Sequence, residues 1–167
     1  MSKEEIYDIW RAWKTIKLGT GLKTADEFRQ ALKADGMKIG DWGNYILGKP
    51  AFKVASELTE IELVPATVAE LGFKNGARRK DIYKRALELG LALCPNEVGP
   101  QLRLQYKNQQ NGERLLIAME PITDPYGNLR VFSVGYYGDD IWLRAYVGLL
   151  PDDFWRADRV WVFARRK

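Results

Sequence analysis

The sequence predicts an α+β fold, with an N-terminal helical layer packed on a mainly antiparallel C-terminal β-sheet or meander. Three observations predict it. Apolar residues recur at three- and four-residue spacings through the first half, most clearly from Ala77 to Leu89. Period-two alternation takes over in the second half, between turn signals such as Asp124-Pro125-Tyr126-Gly127-Asn128 and Gly138-Asp139-Asp140. A chain of 167 residues, 46% of them hydrophobic, suffices for one full domain and hardly for two. A single domain is therefore expected over residues 1–167, mainly helical over 1–91 and mainly β over 92–167.

The first predicted element is an amphipathic helix. Ser2 and Glu5 have the spacing of a capping box, and Ile6, Ile9, Trp10, Trp13 and Ile16 follow at helical spacing. Leu18-Gly19-Thr20-Gly21 interrupts the pattern and lacks the Lys-Ser/Thr ending of a phosphate loop. Thr24 and Glu27 start a second helix, with Phe28, Ala31 and Leu32 inward and Gly36 as its stop. Asp41 is placed to cap a third, with Trp42, Tyr45 and Ile46 inward, ended by Gly48 and Pro50. From Glu57 to Val64 the period changes to two, which predicts a strand ending at Pro65.

Thr67 and Glu70 form a capping box for a short helical turn, Val68 to Leu71, and Asn75-Gly76 marks a turn. The longest helix then spans Ala77 to Leu89. Ile82, Tyr83, Ala86, Leu87 and Leu89 form its buried stripe. Asp81 with Arg85 and Lys84 with Glu88 are i,i+4 pairs on the other side. Gly90 can close it in the left-handed conformation, with Leu91 folding back on Ala86. Short turn, Gly-containing connection and longer helix fit a helix-turn-helix or an ordinary αα-corner equally. Leu91 to Leu93 reads as a short strand ended by Cys94-Pro95.

The segments KTIKLGTGLKTADEFRQALKADGMKIGDW, DIYKRALELGLALCPNEVGPQLRLQY and AMEPITD resemble a family of small hypothetical proteins from uncultured, reduced-genome bacteria. The resemblance covers nearly the whole chain. That family has no assigned activity, so no functional residue is carried over; it implies a bacterial, cytoplasmic, soluble protein. The chain departs from it at Arg78, where similar sequences tend to have a threonine able to cap the long helix.

In the second half, Leu102, Leu104 and Tyr106 alternate with Arg103 and Gln105, predicting a strand. Lys107 to Gly112 is a polar turn. Leu115 to Met119, Leu129 to Val134, Ile141 to Val147 and Arg159 to Ala164 are the further strands. Pro151 to Trp155 reads as a loop or a single turn capped by Asp152.

Composition excludes several chemistries. The chain has no histidine and one cysteine, Cys94, which argues against Ser-His and Cys-His nucleophiles, histidine bases and tetrahedral zinc sites. No cofactor and no metal are expected. A lone cysteine cannot form an internal disulfide, and a reducing cytoplasm is the expected location. The N-terminal residues do not read as a secretory signal, and no apolar run is long enough to span a membrane. The net charge of +4 is spread evenly over the two halves, a mild bias toward anionic partners.

Three sets of residues are candidates for function. The first is an aromatic and basic sheet face: Arg130 and Phe132 on one strand, Trp142, Arg144 and Tyr146 on another, and Trp161, Phe163 and Arg165 on the last. Rings can stack on bases or sugars and guanidinium groups can bond phosphates. The competing use of these rings is core packing. The second set is a basic patch on the long helix, Arg78, Arg79, Lys80, Lys84 and Arg85, which could meet phosphates or merely form a solvated face balanced by Asp81 and Glu88. The third is the carboxylates Glu97, Glu120, Asp124, Asp139, Asp140, Asp152 and Asp153, candidates for a two-carboxylate hydrolase, though most fall at turns where Asp serves the backbone. The expected function is a non-catalytic cytoplasmic binding module for nucleic acid through the sheet face. The alternatives are a carboxylate-dependent hydrolase of a glycan or phosphate ester, and a protein–protein adaptor using the first helix.

Overall fold

The computed structural model of the protein describes residues 10–166. Its first helix, α1 (Ala25–Ala34), starts where the capping logic places it. The Thr24 side chain accepts a hydrogen bond from the Glu27 backbone N–H, and Phe28 and Leu32 are buried. The next helix, α2 (Asp41–Leu47), has Gly40 as N-cap with no side-chain cap, so Asp41 lies inside the first turn and does not cap it. The long helix, α3 (Arg79–Glu88), buries Ile82, Tyr83 and Ala86, and it too begins without a side-chain cap, at Arg78. Gly90 follows it at φ 90°, the conformation that glycine adopts without a Cβ penalty. A fourth helix is α4 (Val98–Gln105).

Eleven strands complete the described residues: β1 (Lys14–Leu18), β2 (Lys38–Ile39), β3 (Thr59–Thr67), β4 (Ala77–Arg78), β5 (Leu91–Ala92) and β6 (Arg114–Ile117), then β7 (Ile122–Thr123), β8 (Leu129–Tyr137), β9 (Asp140–Tyr146), β10 (Phe154–Trp155) and β11 (Val160–Arg165). The main sheet has the order β1-β3-β11-β6-β8-β9-β2, with β5 also on β11 and β7 on β8; β4 and β10 pair separately. The α+β class therefore stands, but two finer expectations need correction. The sheet is mixed, because β11 runs parallel to β6 and β2 parallel to β9. The first half is also not a helical layer, since β1, β2 and β3 belong to the sheet.

Three local readings change for identifiable reasons. Trp13 to Ile16 is not helical: Lys14 to Leu18 pairs with Thr59 to Leu63, and Ile16 and Leu18 face inward at period two. The rest of that expected helix, Ser2 to Ile9, lies outside the described residues. Leu102 to Tyr106 is not a strand. Residues 98–105 form α4, and its long side chains are buried nearly all round, including Arg103 and Gln101, so hydrophobic alternation carried no helical signal. Pro65 does not end β3, which continues to Thr67. Pro65 pairs with Val162 of β11, while the β1 register stops at Leu63, so the missing N–H falls where only one neighbouring strand is present.

Registers assign side chains to the two faces of the sheet. Trp161 is level with Leu116, Leu116 with Ser133, and Ser133 with Arg144. These residues, with Phe163, Tyr146 and Trp142, share one face. Phe132, level with Ala145, is on the other. On Phe132's face α4 packs so closely that a Cβ on Gly99 would lie 2.5 Å from Phe132 Cδ2. On the opposite face, Tyr83 of α3 meets Trp161 and Phe163 edge-on, centroids 5.5 and 6.3 Å apart, and its hydroxyl donates to the Met119 carbonyl at 2.8 Å. The predicted turn residues Thr67 and Glu70 do form their reciprocal capping box, each backbone N–H reaching the other's side chain at 3.0 Å. It closes a single turn leading toward β4, so neither helix-turn-helix nor αα-corner is present.

Gly99 carries a measurable consequence. In an exposed helix, alanine would gain about 1 kcal/mol over glycine, but here the added methyl has no room. Gly99→Ala should lower stability in urea denaturation by about 1–3 kcal/mol. Shortening the opposing ring with Phe132→Leu in the same chain should recover part of that loss, the coupling expected of two groups in contact. A stabilised Gly99→Ala protein would contradict this packing.

Candidate functional site

The open part of the sheet lies over β8 and β9. Helix α3 roofs the Trp161 and Phe163 end of its face, while farther along the same face the covering side chains are the sheet's own. Gly135 of β8 is level with Arg114 of β6 on one side and with Trp142 of β9 on the other. Having no side chain, it lets the Tyr137 ring lie across it; a Cβ there would sit 2.6 Å from Tyr137 Cζ. Tyr137 thereby comes between two arginines.

The result is an alternating stack. The Arg144 guanidinium lies 4.1 Å from the Trp142 ring centroid and 4.9 Å from that of Tyr137. Arg114 lies 5.2 Å from Tyr137 and 4.6 Å from Tyr146. Arg114 Nε also donates to the Tyr137 hydroxyl at 2.6 Å, and Arg144 Nη1 to that of Tyr146 at 3.4 Å. Burial raises the Tyr137 phenol above its ordinary value, against the pull of the Arg114 hydrogen bond, so it remains neutral beside these cations. All five side chains are half-buried. Among the described residues, neither Arg114 nor Arg144 has a carboxylate within ion-pair distance.

Arg103 holds this arrangement from the other face. It is fully buried. Its Nη1 donates to Gln109 Oε1 at 2.7 Å and to the backbone carbonyls of Gly135 and Trp142 at 3.1 and 3.4 Å, and its Nη2 donates to the Tyr106 carbonyl. Burial pulls its guanidinium down to about 10, so it keeps its charge at neutral pH. The two carbonyls it ties together belong to the residues level with each other beneath the stack.

Two clefts adjoin the stack, and Tyr146 lines both. One, of about 480 Å³, is bounded by Ile39 to Gly43 and by Trp142, Arg144 and Ala145. The other, of about 320 Å³, is bounded by Arg114, Arg156 and Arg159 and by the chain around Gly148 and Trp155. Asp153 fixes the wall of the second cleft. Its Oδ1 accepts from the Gly148 N–H and from Trp155 Nε1, both at 3.0 Å, and its Oδ2 meets Arg79 Nε at 2.8 Å. Asp153 adopts φ 52°, a conformation that costs about 1–2 kcal/mol and is held by these bonds.

Of the eight candidates on the aromatic-basic face, Trp142, Arg144 and Tyr146 are in the stack. Phe132, Trp161 and Phe163 are 0% exposed and belong to the core. Arg130 is buried on the opposite face, its Nε 2.7 Å from Asp124 Oδ2 and its guanidinium 4.0 Å from the Trp42 centroid. Arg165 pairs with Glu62 at 3.2 Å on the β3 side of the sheet. The proposed common face is thus split between the core, a buried ion pair and one open segment. Arg114 and Tyr137 complete the stack, and Arg156 and Arg159 line only the adjoining cleft; none was singled out, because strand register brings the first two into place and the loop after β10 the other two.

The helix patch is divided in the same way. Arg79 turns inward to Asp153 and over Tyr83, while Lys80 and Lys84 are exposed. The exposed pairs are Arg78 with Asp81 and Arg85 with Glu88, both at 3.3 Å and at i,i+3 spacing, in place of the i,i+4 pairs expected. Three of the seven carboxylates, Glu97, Asp124 and Asp153, serve the fold, whereas Glu120, Asp139 and Asp152 are exposed and Asp140 is half-buried. Buried Glu97 accepts from the backbone N–H groups of Gly19 and Ala55 at 2.9 and 2.8 Å. The Arg-lined cleft has no carboxylate among its lining residues and the other has one, Asp41. Cys94 is buried, with its thiol pushed up by burial. Among the described residues no group of three His, Cys, Asp or Glu side chains is placed to hold a metal ion, and no helix is long and apolar enough to cross a membrane. Comparison with known proteins finds no matching family model, no matching curated protein and no matching solved structure.

The Asp124–Arg130 pair predicts a pH response. Burial alone would raise the Asp124 carboxyl; Arg130 and the N–H groups of Asn128 and Tyr126 outweigh it and bring it down to about 2. An unfolded Asp titrates near 3.9, so the contribution of this carboxylate is complete above about pH 4 and is lost as pH falls through about 2. In urea titrations, Asp124→Asn should be less stable than wild type at pH 7, with the gap narrowing between pH 4 and pH 2. A gap that stays constant across that window would refute the linkage.

Proposed function

We propose that the protein is a non-catalytic module that binds single-stranded nucleic acid along the stack of Trp142, Arg144, Tyr137, Arg114 and Tyr146. One observation carries this reading: two arginines alternate with three rings on an open sheet face, with no carboxylate neutralising either. Unstacked bases find π-faces and guanidinium planes there, and the sugar–phosphate backbone finds cations not committed to internal ion pairs. The surface is a single line of alternating rings and cations across β6, β8 and β9, which suits a single strand. The hydrolase alternative is weaker, since it requires paired carboxylates in an aromatic-walled cleft and neither such cleft has two. We place this activity in the cytoplasm, in keeping with a single, buried, unpaired thiol.

The test is fluorescence anisotropy with labelled single-stranded and duplex oligonucleotides across a salt series. Single strands should bind more tightly, with affinity falling as salt rises. Trp142→Ala should weaken binding by about 1–3 kcal/mol, the usual worth of one base–aromatic stack. Arg144→Gln should reduce the salt slope by about 0.7, the value of one released counterion on a single strand. Absence of binding at low salt would reject the proposal.

A further inference from the structure

We infer that the Arg114, Arg156 and Arg159 cleft is a pocket for a terminal phosphate monoester, the end of the strand that lies on the stack. The inference rests on the reading above and adds to it a defined end and a defined ligand group.

Three observations carry it. The cleft holds three guanidinium groups and no carboxylate among its lining residues. Among the described residues, Arg114 and Arg159 have no carboxylate partner, and the one pair made by Arg156, with Asp158 at 3.4 Å, has side chains 66% and 65% exposed. An ion pair that exposed is worth little and exchanges readily for a better anion. Second, Arg114 and Tyr146 belong both to the stack and to the cleft, so a backbone following the stack leads into it. Third, the wall is prebuilt: Asp153 ties Gly148, Trp155 and Arg79 together, and Leu149 and Phe154 exchange backbone hydrogen bonds at 2.8 and 3.0 Å.

Charge decides which phosphate fits. A backbone diester carries one negative charge, whereas a terminal monoester carries about 1.5 to 2 at pH 7 and presents three oxygens. Three arginine forks match three such oxygens and the higher charge. The other cation-rich cleft, around Arg78, Arg79 and Lys80, is also lined by Asp81, Asp152 and Asp153, and so lacks this excess. The cleft beside Trp142 is lined by one arginine, Arg144, and one carboxylate, Asp41, which is not within ion-pair distance of it. Of these three, only the Arg114 cleft gathers several cations with no carboxylate among its lining residues. A strand carries such a monoester at its 5′ or its 3′ end, and the test separates the two sources.

One oligonucleotide would be prepared with a 5′-phosphate, with a 3′-phosphate and with neither, and its affinity measured at pH 7.5. One phosphorylated form should bind at least about 10-fold more tightly than the form with neither. Because the second proton of a phosphate monoester is taken up near pH 6, that preference should shrink at pH 5. Arg159→Gln and Arg156→Gln should abolish the preference while leaving the unphosphorylated strand's affinity within about 2-fold; Trp142→Ala should weaken all three forms alike and keep the preference. Thermal unfolding of each variant checks that it is folded. Equal binding of the three forms, or a preference that survives the Arg156→Gln/Arg159→Gln double variant, would overturn the pocket while leaving the stack intact. If the strands do not bind but inorganic phosphate does, in competition with a nucleoside monophosphate and lost in the double variant, the pocket stands and the nucleic-acid reading falls.

Discussion

The insertion of β11 between β3 and β6 is the constraint on which the rest of the structure depends. The last described strand lies in the interior of the sheet, antiparallel to Leu63–Thr67 on one side and parallel to Leu115–Ile117 on the other. It joins the β1–β3 pair of the first half to the β6-β8-β9 ladder of the second. Trp161, Val162 and Phe163 are buried on both faces, Trp161 under Tyr83 of α3 and Val162 on the side of the α4 layer. These contacts join distant parts of the chain, as do the pairing of β2 with β9, the edge-on contact of Phe52 with Phe132 and the Tyr83–Met119 hydrogen bond.

This same pairing determines where the sheet is open. Helix α3 reaches β11 through Tyr83 and stays at that end, so the β8–β9 half of the face has to be covered by its own side chains. Strand β9 is built for that position. Leu143 and Ala145 turn to the core, while Trp142, Arg144 and Tyr146 turn outward. A glycine at 135 then allows Tyr137 to fold flat between Arg144 and Arg114, and Arg103 ties the two strands from below. The geometry of the stack is thus a consequence of one missing side chain, one buried guanidinium and the place where a helix stops.

Much of this was legible in the residues, and the failures share a cause. Helices α1 and α3 and strands β8 and β9 carry local signals: a Thr24 cap, the Ile82 to Ala86 stripe, a Gly138 hairpin turn. The open face of β9 was legible as strict alternation of bulky polar or amphipathic residues with Leu143 and Ala145. The error was to extend that face to β11. The run Val160 to Ala164 is apolar without interruption, the pattern of a strand buried on both faces, and it pointed to the core. Helix α4 was missed because burying Gln101 and Arg103 along with Leu102 erased its amphipathic period. Arg156 and Arg159 share the loop before β11, but Arg114 lies on β6, and no spacing in the chain records that register and that loop bring the three together.

The distribution of charge separates a structural role for the stack from a recognition role. The chain has 22 acidic residues against 26 basic ones, and several of its other arginines are matched: Arg79 with Asp153, Arg130 with Asp124, Arg165 with Glu62. A fold needing only to anchor Arg114 and Arg144 could have set a carboxylate beside each. An exposed ion pair and an exposed cation–π contact are worth about the same, of order 0.2–1 kcal/mol, so stability does not favour rings over acids. What rings do, and acids cannot, is hold a guanidinium in place without cancelling its field. On the proposed reading this is why aromatics fill the positions between the arginines: the charge is fixed in geometry and left available to an anion from outside.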